Sequence, residues 1–178
     1  QVRILERMSR VGRKLLATCN GRCNLTNRNL RLDAFHGSCA GEFAEKVFRQ
    51  FDLDRTLAFF QELGVEPRVE ADGLIYPASG HASSVLDVLR YEVERLGVET
   101  LCDKNVQRLE GRAGAFRCVT TGGERFDAAR VLLAAGGKSS PNLGSNGGGF
   151  KLAEALAHTI AEPFPALVQI NLDAPFLK

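Results

Sequence analysis

Residues 131–137 read Val-Leu-Leu-Ala-Ala-Gly-Gly. Five apolar residues in a row, with no polar alternation, do not suit a sheet that keeps one face wet. A run of this length that empties into glycines reads as a strand buried on both faces, and such strands belong to parallel sheets covered by helices. The first expectation is therefore an α/β chain.

The helices that would cover the sheet are legible. Val85, Leu89, Val93 and Leu96 repeat at helical spacing, Ser84 and Asp87 resemble a capping box, and Gly97 stands at the C-terminal end. Val98–Leu101 then reads as a strand, a helix-to-strand step typical of α/β proteins. Further upstream, Phe43, Val47, Phe48 and Phe51 share one helical face. A second helix over 54–63 gathers Leu57, Phe60 and Leu63 before Gly64, with Pro67 beyond it. Residues 73–77 read as a short strand or turn. Val2–Leu5 reads as a strand ending on Glu6, and the Gly- and Asn-rich stretch from there to Arg31 reads as irregular. From Asn105 the rhythm changes: segments 106–109, 115–120 and 124–126 alternate with Gly-containing turns, the pattern of an antiparallel meander. A last helix is expected over 148–158.

The 44% apolar and 25% charged composition of the 178 residues fits one soluble globular domain, or one domain plus part of another. No apolar run reaches eighteen residues, so no membrane-spanning helix is expected. Five cysteines without regular spacing do not make a disulfide framework, which points to a reducing, cytoplasmic setting. The chain opens inside a strand with no initiator Met, and reads as an internal fragment of something longer.

Charge is unevenly placed. Residues 1–31 hold eight Arg or Lys against the single acid Glu6, a balance of +7, while the whole chain carries only +2. Such a field favours an anionic partner: phosphate, nucleotide or nucleic acid. The plain alternative is a solvated cationic face. Base-stacking aromatics are missing from residues 1–31, which argues against single-stranded nucleic acid.

Metal chemistry is not expected. Cys19 and Cys23 are spaced Cys-x3-Cys, with no second ligand pair. A Cys23 nucleophile paired with His36, His81 or His158 is no better supported than chance pairing, and no catalytic residue is assigned. Two features together suggest a dinucleotide. Glu6 at the end of a strand can accept hydrogen bonds from ribose hydroxyls. Gly136 and Gly137 after the apolar run let backbone approach a ligand. The Gly-x-Gly-x-x-Gly phosphate turn that should precede the acid is not in the chain.

At this point "RILERMSRVGRKLLATCNGRCNLTN", "GLIYPASGHASSVLDVLRYEVERLGVE" and "VLLAAGGKSSPNLGSNGGGFKLAEALAH", with "PFPALVQINLDAPFLK", resemble the flavoprotein family that includes aminoacetone oxidase and bacterial dehydro-bile-acid reductases, the NAD(P)/FAD-dependent oxidoreductases. The resemblance covers essentially the whole chain, and Asn-Gly-Arg-Cys-Asn-Leu-Thr-Asn from Asn20 is its most specific motif. It implies part of a glutathione-reductase-type, Rossmann-like FAD-binding domain: parallel strands with helices plus a small antiparallel meander. The first strand and the Gly-rich turn lie outside the chain. Residues 1–166 would be the partial FAD domain, with a helical excursion over about 38–97 and the meander over about 105–127. Residues 167–178 would begin the connection to a substrate domain.

The resemblance also implies roles. Glu6 would bind the adenosine ribose and Val106 would touch adenine through its backbone. Ala135, Gly136 and Gly137 would approach the cofactor, and Arg22, Cys23 and Asn24 would line its pocket near the flavin. Arg13 and Lys14 are candidates for the phosphate or adenine side. Cys19 stands where relatives commonly carry Gly, and Ala135 where Thr is common. The parent is expected to be an FAD-dependent oxidoreductase acting on a small organic molecule, with NAD(P)H as a candidate electron donor, and without a nucleic-acid or membrane partner. The chain alone is expected to bind FAD weakly or not at all, and an unpaired sheet edge invites self-association. The alternatives are an anion- or nucleic-acid-binding module built on residues 1–31, and a ligand-free scaffold.

Overall fold

The structure, a computed structural model, describes residues 1–37 and 40–165. The expected connection over 167–178 lies outside the described residues. The chain forms two compact units, 1–104 and 105–178.

In the first unit β1 (Arg3–Leu5) pairs in parallel with β5 (Glu99–Leu101), Arg3 opposite Glu99 and Leu5 opposite Leu101. The α4 helix (Ala82–Arg95) leads into β5, as the helix-to-strand step predicts. Gly97 and Val98 donate their amides to Glu94 and Val93, which closes the helix end. The start differs from expectation. Helix α4 begins at Ala82, with His81 at the N-cap and no side-chain cap, so Ser84 lies inside the first turn. Its hydroxyl donates back to the His81 carbonyl at 2.8 Å instead of capping.

A second, antiparallel sheet has β4 (Leu74–Pro77) at its centre, between β2 (Thr26–Asn27) and β3 (Pro67–Val69). Ile75 is the shared register point, opposite both Thr26 and Val69, and is 1% exposed. Helix α1 (Arg13–Ala17) contacts α4, and their core joins Cys23, Val65, Ala82 and Val85 to Leu15, Leu16, Phe60 and Leu89.

Helices α2 (Ala40–Phe48) and α3 (Leu53–Glu62) stand where periodicity puts them, and Asp52 caps α3 by accepting the Arg55 amide at 2.9 Å. The buried face of α2 is not the predicted one. Phe43 is 70% exposed and Val47 and Phe51 are also exposed, while Ala44 is buried and Phe48 rests on the Phe35 ring. Spacing alone identified an apolar stripe. Which side meets a neighbour depended on the short 3-10 turn 32–34, the element α2 packs against.

The second unit holds the expected meander: β6 (Val106–Arg112), β7 (Ala115–Thr120) and β8 (Arg125–Ala128), antiparallel in that order. Leu109 and Cys118 are buried on one face and Val119 on the other, and α5 (Gly148–Glu154) contributes Leu152. Helix α5 is shorter than the predicted 148–158 because Ala157 turns left-handed (φ 64°).

The largest departure is at residues 131–135. They are not in any strand, and Leu132 is 92% exposed. A buried parallel strand needs hydrogen-bonding neighbours on its edges and apolar cover on its faces. Among the described residues no strand pairs with this run. Val131 and Leu133 instead line an apolar cleft with Leu109, Phe116 and Leu156.

Candidate functional site

In the first unit the chain leaves β1 through Glu6. One carboxylate oxygen accepts the Met8 amide at 2.7 Å, and the Glu6 backbone bonds Leu101 and Lys104. The side chain is half-buried and forms no ion pair among the described residues. Its second oxygen remains an available acceptor at the C-terminal end of a parallel strand.

Arg13 opens α1 half-exposed and Lys14 follows on the exposed side. The chain then enters a tight turn. Cys19 (φ 46°) and Asn20 (φ 54°) are left-handed, Gly21 follows at φ 83°, and Cys23 returns to φ 60°. Left-handed geometry costs a non-Gly residue about 1–2 kcal/mol, and persists only where the surroundings over-determine it. Here the Thr18 carbonyl does so, accepting the amides of Arg22 (3.1 Å) and Cys23 (3.4 Å). The same geometry explains why glycine suits position 19. The turn presents Cys19 and Asn20 exposed, as its outer rim.

The side chains of the following motif are turned to internal work. Arg22 donates to Glu70 at 2.5 Å and stacks over the Tyr76 ring, 4.0 Å from its centroid. Arg68 reaches the same Glu70 oxygen at 2.7 Å, and the two guanidinium groups hold the Glu70 carboxyl below the usual carboxylate range. Cys23 is buried, and that burial pushes its thiol pKa up, opposed in part by the Thr18 hydroxyl. Asn24 ties two strands together, its amide donating to Thr26 (3.2 Å) and Ile75 (3.3 Å) carbonyls. Asn27 and Asn29 both donate to the Asp72 carbonyl at 3.3 Å. Thus Arg22, Cys23 and Asn24 form the rigid backing of the turn, and Cys19–Gly21 its outward surface.

Sequence reasoning missed Glu70 and Tyr76 as the partners of Arg22. No local signal marks a residue 48 positions away as a counter-ion. His81 serves structure: its ring Nδ1 lies 2.6 Å from the Ser79 carbonyl.

In the second unit Val106 begins β6 opposite Thr120, with a register irregularity just after it. Ala135 lies against Gly149, where an added Cβ would stand 3.0 Å from the Ala135 methyl. Gly136 (φ 73°) faces the Ser145 hydroxyl, 3.1 Å from where a Cβ would be. The close approach at Gly136 is therefore met by Ser145, which is 5% exposed, while the space beside Gly137 is open. Lys138 lays its methylenes over Gly147, and the Gly147 amide donates to the Gly137 carbonyl at 2.9 Å. Among the described residues no group of three or more His, Cys, Asp or Glu is placed to hold a metal, and no helix is long and apolar enough to cross a membrane.

Parallel strands with helices, a separate antiparallel meander and an acid closing the first strand define part of an α/β, Rossmann-like FAD-binding domain. The chain belongs to the HI0933-like protein Rossmann domain family, whose pattern matches residues 1–166. It is 44% identical over its whole length to a 3-dehydro-bile acid delta(4,6)-reductase of Clostridium scindens, of which it covers 43%. It is 24% identical to a ribosomal RNA dihydrouridine synthase of Escherichia coli, again over the whole chain and 44% of that protein. The chain thus spans under half the length of these curated relatives. Among solved structures, the open form of NikD, an unusual amino acid oxidase, aligns with 79% of this chain and 46% of its own, at 14% identity and a TM-score of 0.37.

Proposed function

We propose that the chain is the cofactor-side portion of an FAD-dependent oxidoreductase, and that the whole protein passes a hydride between flavin and a small organic substrate, with NAD(P)H as electron donor. The observation that carries this reading is Glu6. It is a half-buried carboxylate at a parallel strand end, held in place by the Met8 amide, with an acceptor oxygen left over. That is the chemistry a ribose hydroxyl pair requires.

The chemistry of the residues, taken unit by unit, supports this reading. Glu6 would accept the ribose hydroxyls, and Arg13 and Lys14 would serve the phosphate or adenine side. Val106 would meet adenine through its backbone, and Ala135, Gly136 and Gly137 would border the cofactor. Of these, Gly137 has open space where a side chain would stand, whereas Ser145 occupies that direction at the exposed Gly136. The rim Cys19–Asn20–Gly21 would touch the flavin side, with Arg22, Cys23 and Asn24 holding it rigid from behind. When bound, FAD supplies a ring that accepts and donates hydride, and the protein orients it and excludes water. The names of the relatives, a bile-acid reductase and an RNA dihydrouridine synthase, both denote reductions, which supports delivery of hydride to the substrate.

The test is a flavin-fluorescence titration of the chain with FAD, repeated on a version lengthened to the span of its relatives. The longer protein binds FAD with a visible flavin band, and Glu6→Ala weakens it. The chain alone binds weakly or not at all. A lengthened protein without flavin affinity would overturn the reading.

A further inference from the structure

Among the described residues of the first unit, one apolar face of α2 and α3 is left to solvent. Phe43, Val47, Phe51 and Phe59 are all exposed. They form one patch. Phe43 and Val47 stand a turn apart on α2, and the turn carries on past the helix, since the amides of Arg49 and Phe51 donate to the Glu45 and Val47 carbonyls at 2.9 Å. Phe51 then meets the Phe59 ring edge-on, with centroids 6.3 Å apart. Phe59 in turn meets Phe60, which packs into the core with Val65 and Val85. Three phenylalanines and a valine in one anchored patch are more apolar surface than scattered exposure explains.

The charges beside the patch say what covers it. Glu42 and Lys46 line the outer flank of the stripe, and the Lys46 ammonium donates to Glu42 at 2.5 Å. The acid comes first along the helix and the cation follows. Glu45 and Arg49 repeat that order on the other flank. With each acid matched by a cation, nothing here draws α2 to an anionic surface. The order is instead complementary to itself. In an antiparallel pair of α2 helices, with Phe43 of each copy against Val47 of the other, Glu42 of each copy falls within about one turn of Lys46 of the other. A parallel pair would set Glu42 against Glu42 and Lys46 against Lys46. The antiparallel pair also opposes the two helix dipoles.

We propose that this face is a two-fold interface with a second copy of the chain, α2 lying antiparallel on α2, with Phe51 and Phe59 at its margin. A two-fold contact uses the same patch on both copies, which is what a self-complementary charge order requires. The surface is a helix face, separate from any sheet edge, and the inference does not rest on the flavin reading.

The experiment is sedimentation equilibrium of the full chain over a wide concentration series. The chain is a dimer in exchange with monomer. Phe43→Ser, at a side chain too exposed to hold the fold, leaves the circular dichroism unchanged. It lowers the association constant by about tenfold or more, because both copies lose the ring. Tyr91→Ser, at a comparably exposed ring on α4, changes neither. Lys46→Glu and Glu42→Lys each weaken self-association by setting like charges across the two-fold, and an equal mixture of the two variants restores it as a heterodimer. A monomer across the whole series would overturn the proposal. So would a dimer that survives Phe43→Ser, which would place the contact elsewhere, or a mixture that associates no better than either charge variant alone. A protein lengthened to the span of its relatives that stays monomeric would also overturn it, its added segments then being what covers the patch.

Discussion

Gly73→Ala is the substitution that best tests how the Asn-Leu-Thr-Asn motif works. Gly73 sits at φ 77°, just before the central strand β4, and its Cα faces two amides. A Cβ there would stand 2.7 Å from both Asn27 Oδ1 and Asn29 Nδ2. Two costs follow. The left-handed backbone costs alanine about 1–2 kcal/mol. Displacing the amides loosens two bonds to the Asp72 carbonyl, worth about 1 kcal/mol each. The sum is about 3–4 kcal/mol. Gly64→Ala is the matched control, since Gly64 has φ 87° but nothing within 4 Å of the Cβ position, so it isolates the backbone part. Urea melts of the two variants at one pH measure the difference directly from the midpoints. Gly73→Ala is expected to be the less stable by about 2 kcal/mol. Equal losses would show that the asparagine clamp contributes nothing, and that the motif does not brace the wall behind the Cys19–Gly21 turn.

Three further outcomes are expected. Because Glu70 is held below its ordinary pKa by Arg22 and Arg68, the stability it contributes is present above the unfolded carboxylate pKa of about 4.3 and fades as pH falls through the lower folded value; Glu70→Gln should flatten that acid limb in pH-dependent melts. Exposed Cys19 should take up iodoacetamide in the native chain, while Cys23 and Cys118, buried and with raised thiol pKa, should react only on unfolding, as mass spectrometry of the labelled peptides would show. Leu132→Ser, at a side chain 92% exposed, should change the stability of this chain by less than about 0.5 kcal/mol; a loss of several times that would mean Leu132 is covered.

What the sequence determined by itself was local. The period of Val85, Leu89 and Val93 sufficed for α4, the Gly turns for the meander, and Glu6 for the end of the first strand, because each depends on residues within a few positions of one another. The cationic excess of residues 1–31 was likewise plain from composition. Tertiary structure decided the rest. Arg22 found Glu70 and Tyr76 across a sheet, α2 turned Phe43 outward because its neighbour lies on the Ala44 side, and Gly136 received Ser145. Most telling is Val131–Ala135, whose apolar run specifies a buried strand only when other strands flank it. Hydrogen-bonding partners and covering faces are properties of distant chain, so a segment can carry the right composition for a sheet and still stand exposed where no strand pairs with it.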